Sequence, residues 1–462
     1  MSAPTALHPS DLEPSLVGTR TYASRRRPPR LDAAVVIGAM ICLLLLIPAR
    51  LIVPGTTELG RPALVLCLLM FFWWIQVRLT SQHLVLMGPQ PLRWALLAFS
   101  IAMLISYAIG QLRGLTGLEA NGADSFMLFT GAFAGVVLMT ADGISNWVRL
   151  QLVIKLLVWC GAFVGLVGLL QYVLQFDVTE YLDIPGLEAK RAALGFEARG
   201  DGIRVASTTI HYIELSTVMA TILPFAIHLA LFAPTRKMKV AFATAAFLVA
   251  AAIPATISRT GMLALAIVLL VLVPVWNWRR RYNMFAIMCA FLGAFVVVQP
   301  GLVATLTNLF NDPSNNPAFT VRQERYPLVW HYVGQRPWLG RGTGTYVSPQ
   351  YQILDNEWLA FLISNGIIGV IVLATLHLTG IVLALKAFRR AESPEVRHLC
   401  AAAVATQLVA LVVAGTYDSL AFLTYAITVA LTLGICGTVW RLTHPKRIVR
   451  TSTTRWFAAS DS

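Results

Sequence analysis

The sequence predicts an all-α polytopic membrane protein with about twelve transmembrane helices, and three observations carry that prediction. Hydrophobic residues make up 57% of the chain and charged residues only 13%, well outside the balance of a soluble globular domain. Apolar runs of about 20 residues, long enough to cross a bilayer, recur along the whole chain. Positive charge gathers in alternate connections between those runs, the pattern by which membrane proteins set their orientation. Lipid offers the backbone no hydrogen bonds, so each run is read as a helix that satisfies its own amides.

The elements follow in order. Residues 1–30, with "RRRPPR" and scattered Pro and Ser, read as a disordered basic cytoplasmic arm. The first apolar run lacks a small-residue cleavage site, so it is expected to stay as a helix. Transmembrane helices 1–9 are placed in 31–299, on the runs 33–53, 62–79, 94–110, 124–140, 150–175, 209–232, 238–257, 260–277 and 283–299. An outer loop, 176–208, interrupts them. A large extracytoplasmic loop, 300–356, is expected to hold short amphipathic helices. Helices 10–12 are placed in 357–442, on the runs 364–388, 397–416 and 420–441, and 443–462 is a cytoplasmic tail.

With the N-terminus inside, 24 of the 36 Lys and Arg fall in cytoplasmic segments or the helix ends beside them. The connections "TRKMK", "WRRRY" and "LKAFRRAE" are the expected anchors. The net charge of +14 therefore reads as topology and attraction to membrane lipids, not as nucleic-acid binding. Six cysteines, at 42, 67, 160, 289, 400 and 436, lie in or beside apolar runs without C-x-x-C spacing. A disulfide framework or thiolate metal site is not expected. Neither a Walker loop, an H-E-x-x-H nor a clustered Asp/His set occurs, so no cofactor and no metal is expected.

The long late loop differs from the rest of the chain. Tyr326, Val329, Trp330 and Val333 form a helical stripe suited either to an amphipathic surface helix or to an interfacial aromatic belt. Arginines recur on the outer side at Arg204, Arg259, Arg322, Arg325, Arg336 and Arg341. Arg259, in "ATISRTGMLAL", has no other charge for about 20 residues on either side; such a group snorkels to the interface or lines a polar cavity. Guanidinium stays charged and offers a planar fork to two phosphate oxygens. His211 and Glu214, one turn apart, either orient Arg204 or Arg259 or form a buried polar contact. Asp355 is open to two readings, general base or helix N-cap, and Glu357 reads as a helix-start acid. The glycines of "GRGTGTY" suit an anion loop or simply a turn.

Three stretches resemble one family: "RVASTTIHYIELSTVMATILPFAI" (204–227), "ISRTGMLAL" (257–265), and "RQERYPLVWHYVGQRPWLGRGTGTY…DNEWLAFLISNGIIGVI" (322–372). With the helix count and the late outer loop, they are similar to the O-antigen ligase/O-antigen polymerase superfamily of bacterial envelope glycosyltransferases, over about 33–442. The resemblance implies transfer of a glycan from a polyprenyl diphosphate-linked donor to a glycan or lipid acceptor, at the outer face of the cytoplasmic membrane, without nucleotide or metal. It implies that Arg204, Arg259 and Arg322 grip the diphosphate. Arg325, His211, Glu214 and Asn356 join them as substrate-binding candidates, and Asp355, Arg259 and Arg322 are the catalytic candidates. Many ligases carry His-Asn where this chain has Asp355-Asn356, so ligase or polymerase, and the identity of the base, stay open. An exporter or flippase of lipid-linked sugars and a non-catalytic assembly subunit are the other classes. Polar groups gathered on one side favour outer-leaflet chemistry over transport.

Overall fold

Each apolar run has a helix beneath it in the computed structural model, which describes residues 12–13, 22–23, 32–56, 60–79, 89–190, 197–199, 202–298, 324–348 and 350–445. The helices are α1 Ala33–Leu46, α2 Pro62–Leu79, α3 Pro91–Leu112, α4 Gly117–Gly143, α5 Trp147–Leu174, α6 Tyr212–Phe232 and α7 Arg236–Ala255. After them come α8 Arg259–Leu272, α9 Trp278–Val298, α10 Tyr326–Gln335, α11 Glu357–Arg390, α12 Pro394–Val413 and α13 Leu423–Thr443. Among the described residues, nine helices (α2–α7 and α11–α13) are long and apolar enough to cross a membrane, while α1 and the segment Arg259–Val275 are apolar but shorter. The chain is thus an all-α polytopic membrane protein.

The departures from the expected boundaries have local causes. The first run was expected to extend to residue 53, but α1 stops at Leu46 and Pro48 follows at once; proline offers no N–H to continue a helix. Leu51–Ile52 then pairs antiparallel with Glu188–Ala189 of the loop 176–208. Helix α4 begins at Gly117, ahead of the run, because Thr116 and Glu119 form a capping box there. Of the arm 1–30, only Leu12–Glu13 and Tyr22–Ala23 are described, paired antiparallel. Most of the tail, and 299–323 of the large loop, lie outside the described residues.

Helix α13 is the post of the bundle, buried along its whole length. Small residues let α4 approach it closely: a side chain at Gly434 would meet Thr140, and one at Gly437 would meet Ala141. At the same crossing the Thr438 hydroxyl donates to the Thr140 carbonyl at 2.7 Å.

The connections sort to two ends, as alternation through the membrane requires. At the Lys/Arg-rich end, buried Asp142 accepts from Trp74, Arg78 and Arg93 at 2.7–2.9 Å, and Arg441 donates to the carbonyls of Ala141 and Ile144. At the other end, Ala49 N–H donates to Thr208 O at 2.7 Å, and Thr116 meets Gln350.

Helix α11 is broken inside. Gly366 has φ 65° and ψ −169°, so Glu357–Asn365 is a separate short helix leading into the span. The segment Pro337–Gly342 replaces the helical hydrogen bonds lost across the break. Ile367 N–H donates to Pro337 O at 2.8 Å and Ile368 N–H to Trp338 O at 3.2 Å. In return, Arg341 and Gly342 donate to the carbonyls of Ile363 and Ser364, both at 2.9 Å. These four bonds pair backbone groups at the break in a place where water is scarce.

Candidate active site at one end of the bundle

The described residues among those read from the sequence, all but Arg322, lie at the end opposite the Asp142 cluster. Two turns of neighbouring helices form its first part. Arg204 is nearly buried, with its guanidinium 4.2 Å from the centre of the Tyr212 ring at the start of α6. His211 is the N-cap of α6: its Nδ1 accepts from Ile213 N–H at 3.2 Å, and its ring packs on Tyr212 and Phe422. Arg259 is the first residue of α8, directly after the N-cap Ser258 and after Ile257, which holds φ 50°. The first turns of α6 and α8 press together, since a side chain at Gly261 would overlap Ser216. Arg259 thus stands on a helix end that touches α6, and Arg204, at the end of the strand Gly202–Arg204, lies over the first residue of α6.

Glu214 is fully buried, and its oxygens serve backbone amides. It accepts from Ile210 N–H at 2.9 Å, and from Thr424 and Tyr425 N–H at 2.9 and 3.3 Å. Phe422, at the N-cap position of α13, carries no capping side chain; Glu214 supplies the cap from another helix, where a carboxylate also meets the positive end of the helix dipole. Of the two expectations for this residue, the buried polar contact is the arrangement described.

The second part is the start of α11. Asn356, with φ −159°, is the N-cap, its Oδ1 accepting from Leu359 N–H at 3.2 Å. The cap reading of Asp355 is therefore corrected: Asp355 precedes the cap, in the left-handed conformation at φ 52°. Capping requires an extended backbone that points the side chain over the first turn, and Asn356 has it. The Asp355 carboxylate, 43% exposed, instead meets the Arg325 guanidinium at 3.4 Å. Arg325 leads into α10, where Val329 and Val333 pack inward with Leu354 and Ile363 while Tyr326 and Trp330 face outward. His331 is exposed and contacts Gln335. Arg322 lies outside the described residues.

The connection 414–422 ties the two parts together. Asp418 Oδ1 accepts from Asn356 N–H at 2.9 Å, and the Tyr417 hydroxyl meets the Thr217 hydroxyl at 2.9 Å. Burial pushes the Asp418 carboxyl above the usual carboxylate range; the Asn356 N–H opposes that rise, and the negative charge of Asp355 adds to it. Asp418 was missed in the sequence. Its one signal is that it is the lone carboxylate in the short connection "AGTYDSLAF". Glu357 is buried as well, accepting from Leu420 N–H at 2.8 Å, which gives it a structural part.

The glycine loop is not an open anion cradle. Gly340, Gly342 and Gly344 have φ of 68°, 121° and 67°, and a side chain on each would strike backbone of α11, α3 or α4. Two of the loop's amides already serve the broken helix. Beside it, buried Glu119 binds Arg113 at 2.7 Å and the Tyr351 hydroxyl at 2.7 Å, and Arg341 donates to Tyr351 at 2.8 Å.

No curated protein matches the chain. The family model described as O-antigen ligase matches residues 244–374, a stretch holding Arg259, Arg322, Arg325, Asp355, Asn356 and the break at Gly366. Over these residues the chain is similar to the O-antigen ligase family, and the match supports the resemblance to the O-antigen ligase superfamily read from the sequence.

Proposed function

We propose that the protein is a membrane glycosyltransferase that moves a glycan from a polyprenyl diphosphate carrier to an acceptor hydroxyl, at the outer face of the cytoplasmic membrane. Asp355 takes the proton of the acceptor hydroxyl as that oxygen attacks the anomeric carbon. The bond from the sugar to the diphosphate breaks, and polyprenyl diphosphate leaves carrying the electron pair. Arg204, Arg259, Arg322 and Arg325 face the charge that develops on it. His211 and Asn356 cap the starts of α6 and α11, beside Arg204 and Asp355, and Glu214 caps α13.

The observation that carries this reading is the half-exposed Asp355, released from capping and 3.4 Å from Arg325, within the stretch that matches the ligase family. The outer location rests on the 24-to-12 division of Lys and Arg.

The test is Asp355→Asn. Asn tolerates the left-handed backbone as well as Asp does, and the cap belongs to Asn356, so folding is left intact. The amide cannot accept the proton, and transfer from purified lipid-linked donor in nanodiscs should fall by roughly 10²–10⁴-fold, with the protein at normal levels in the membrane. Parental turnover would remove Asp355 as the base. The lipid-linked species that accumulates in a deletion strain distinguishes the subtype: a complete polymer points to a ligase, single repeat units to a polymerase.

A further inference from the structure

The end of the bundle opposite the candidate active site holds cations without enough acids. Asp142 is already shared by Arg78 and Arg93. Next to that cluster, the ends of α11 and α13 present a second group. The Trp440 indole N–H donates to Pro89 O at 2.9 Å, which fixes the ring against the entry to α3. Over this one ring lie two cations of α11, one turn apart: the Arg390 guanidinium at 4.3 Å from the centroid and the Lys386 ammonium at 5.9 Å.

Each cation gains from the ring face, but they repel each other. Among the described residues no carboxylate forms an ion pair with either, and Glu392 and Glu395, the acids nearest in sequence, pair with neither. The Arg390 Nη1 is buried without a hydrogen-bond partner. A planar fork and a mobile ammonium, held apart on one ring with a free donor, are the chemistry of phosphate recognition.

The surroundings identify the source of that phosphate. Leu378, Val382 and Leu385 form an exposed apolar stripe on α11 that ends at Lys386, and Trp94 and Leu97 begin a second one on α3, which packs against α11. Exposed apolar stripes on two packed helices, one of them ending at a cation of the Trp440 ring, suit acyl chains attached to the phosphate. We infer that Lys386, Arg390 and Trp440 form a binding site for the phosphate headgroup of an anionic phospholipid, on the Lys/Arg-rich side of the membrane. The site is remote from transfer chemistry, and its test reads binding and stability, not activity.

The full-length protein is compared in nanodiscs of phosphatidylcholine alone, of phosphatidylcholine with phosphatidylglycerol, and of phosphatidylcholine with inorganic phosphate in solution. Phosphatidylglycerol should raise the unfolding temperature and stay bound in native mass spectra, and inorganic phosphate should do neither. In Lys386→Gln/Arg390→Gln, retention of phosphatidylglycerol should fall roughly tenfold or more, since each Lys or Arg near an anionic surface contributes a several-fold factor. Stability in phosphatidylcholine alone should match the parent. Lys386→Gln by itself, at an exposed position, decides the matter where the double variant folds poorly, with a smaller loss of retention expected. Equal retention in parent and Lys386→Gln would overturn the site. The same stabilisation by inorganic phosphate would overturn its assignment to a lipid.

Discussion

Gly366→Ala tests the claim that the break in α11 is what builds the candidate site. The backbone at φ 65° and ψ −169° lies in a region populated almost only by glycine, where a residue with a side chain loses about 1–3 kcal/mol. The added carbon would stand 2.3 Å from both the carbonyl carbon and oxygen of Trp338. That is backbone, not the end of a flexible side chain, and relieving the overlap moves the segment that donates and accepts four hydrogen bonds across the break. Overpacking of this kind costs about 1–3 kcal/mol, so the two terms together come to roughly 2–6 kcal/mol.

The assay has two readouts, the temperature of half-inactivation in detergent and the rate of transfer at a temperature where the protein is still folded. Both should fall, because Asp355 and Asn356 lead into the short helix before the break and Arg341 lies on the segment that braces it. Gly334→Ala is the control. Gly334 lies in α10 with nothing near its would-be side chain, so alanine there should stabilise by up to about 1 kcal/mol. A Gly366→Ala protein with parental stability and rate would refute the argument, since the backbone would then tolerate what its geometry forbids.

Two further expectations concern the arginines and the orientation. Arg259→Lys should insert normally yet lose about 30- to 1,000-fold in transfer, the equivalent of roughly 2–4 kcal/mol in the barrier, because ammonium cannot reproduce a two-point grip on the leaving diphosphate; full activity at normal protein levels would leave Arg259 an interface anchor. Reporter fusions at Gly186 and Arg280 should report the external and cytoplasmic compartments respectively, and the reverse pattern would overturn the outer-face mechanism.

The positions of the helices were legible because burial in lipid leaves a long, unambiguous apolar signal. Helix ends were less so. The early stop of α1 could be read from Pro48, but its pairing with Glu188–Ala189 depends on a contact more than a hundred residues away in the chain. In the site, the stripe of α10 was legible from its spacing, although the sequence alone could not say that Val329 and Val333 face inward while Tyr326 and Trp330 do not. The part played by Glu214 was hidden for a different reason. It caps a helix that begins some two hundred residues later, and no local pattern announces a cap supplied from elsewhere. Asp418 was overlooked because a single acid in a short connection looks like an ordinary loop residue until the fold sets it on Asn356.

The pair Asp355-Asn356 shows how backbone conformation separates two roles that the sequence leaves merged. Either residue type caps helices well, so composition gives no preference. The difference is that Asn356 is extended and Asp355 left-handed, which directs one side chain over the helix and the other away from it, toward Arg325. Asp418 holds the Asn356 amide with one oxygen. Burial pushes the Asp418 carboxyl above its ordinary value, and the neighbouring charge of Asp355 adds to that rise. In the window between the ordinary carboxylate range and that raised value, folding takes up a proton at Asp418, so its contribution to stability declines as pH rises through the window. A single reversal of φ between two adjacent residues leaves the cap to Asn356 and turns the Asp355 carboxylate toward Arg325.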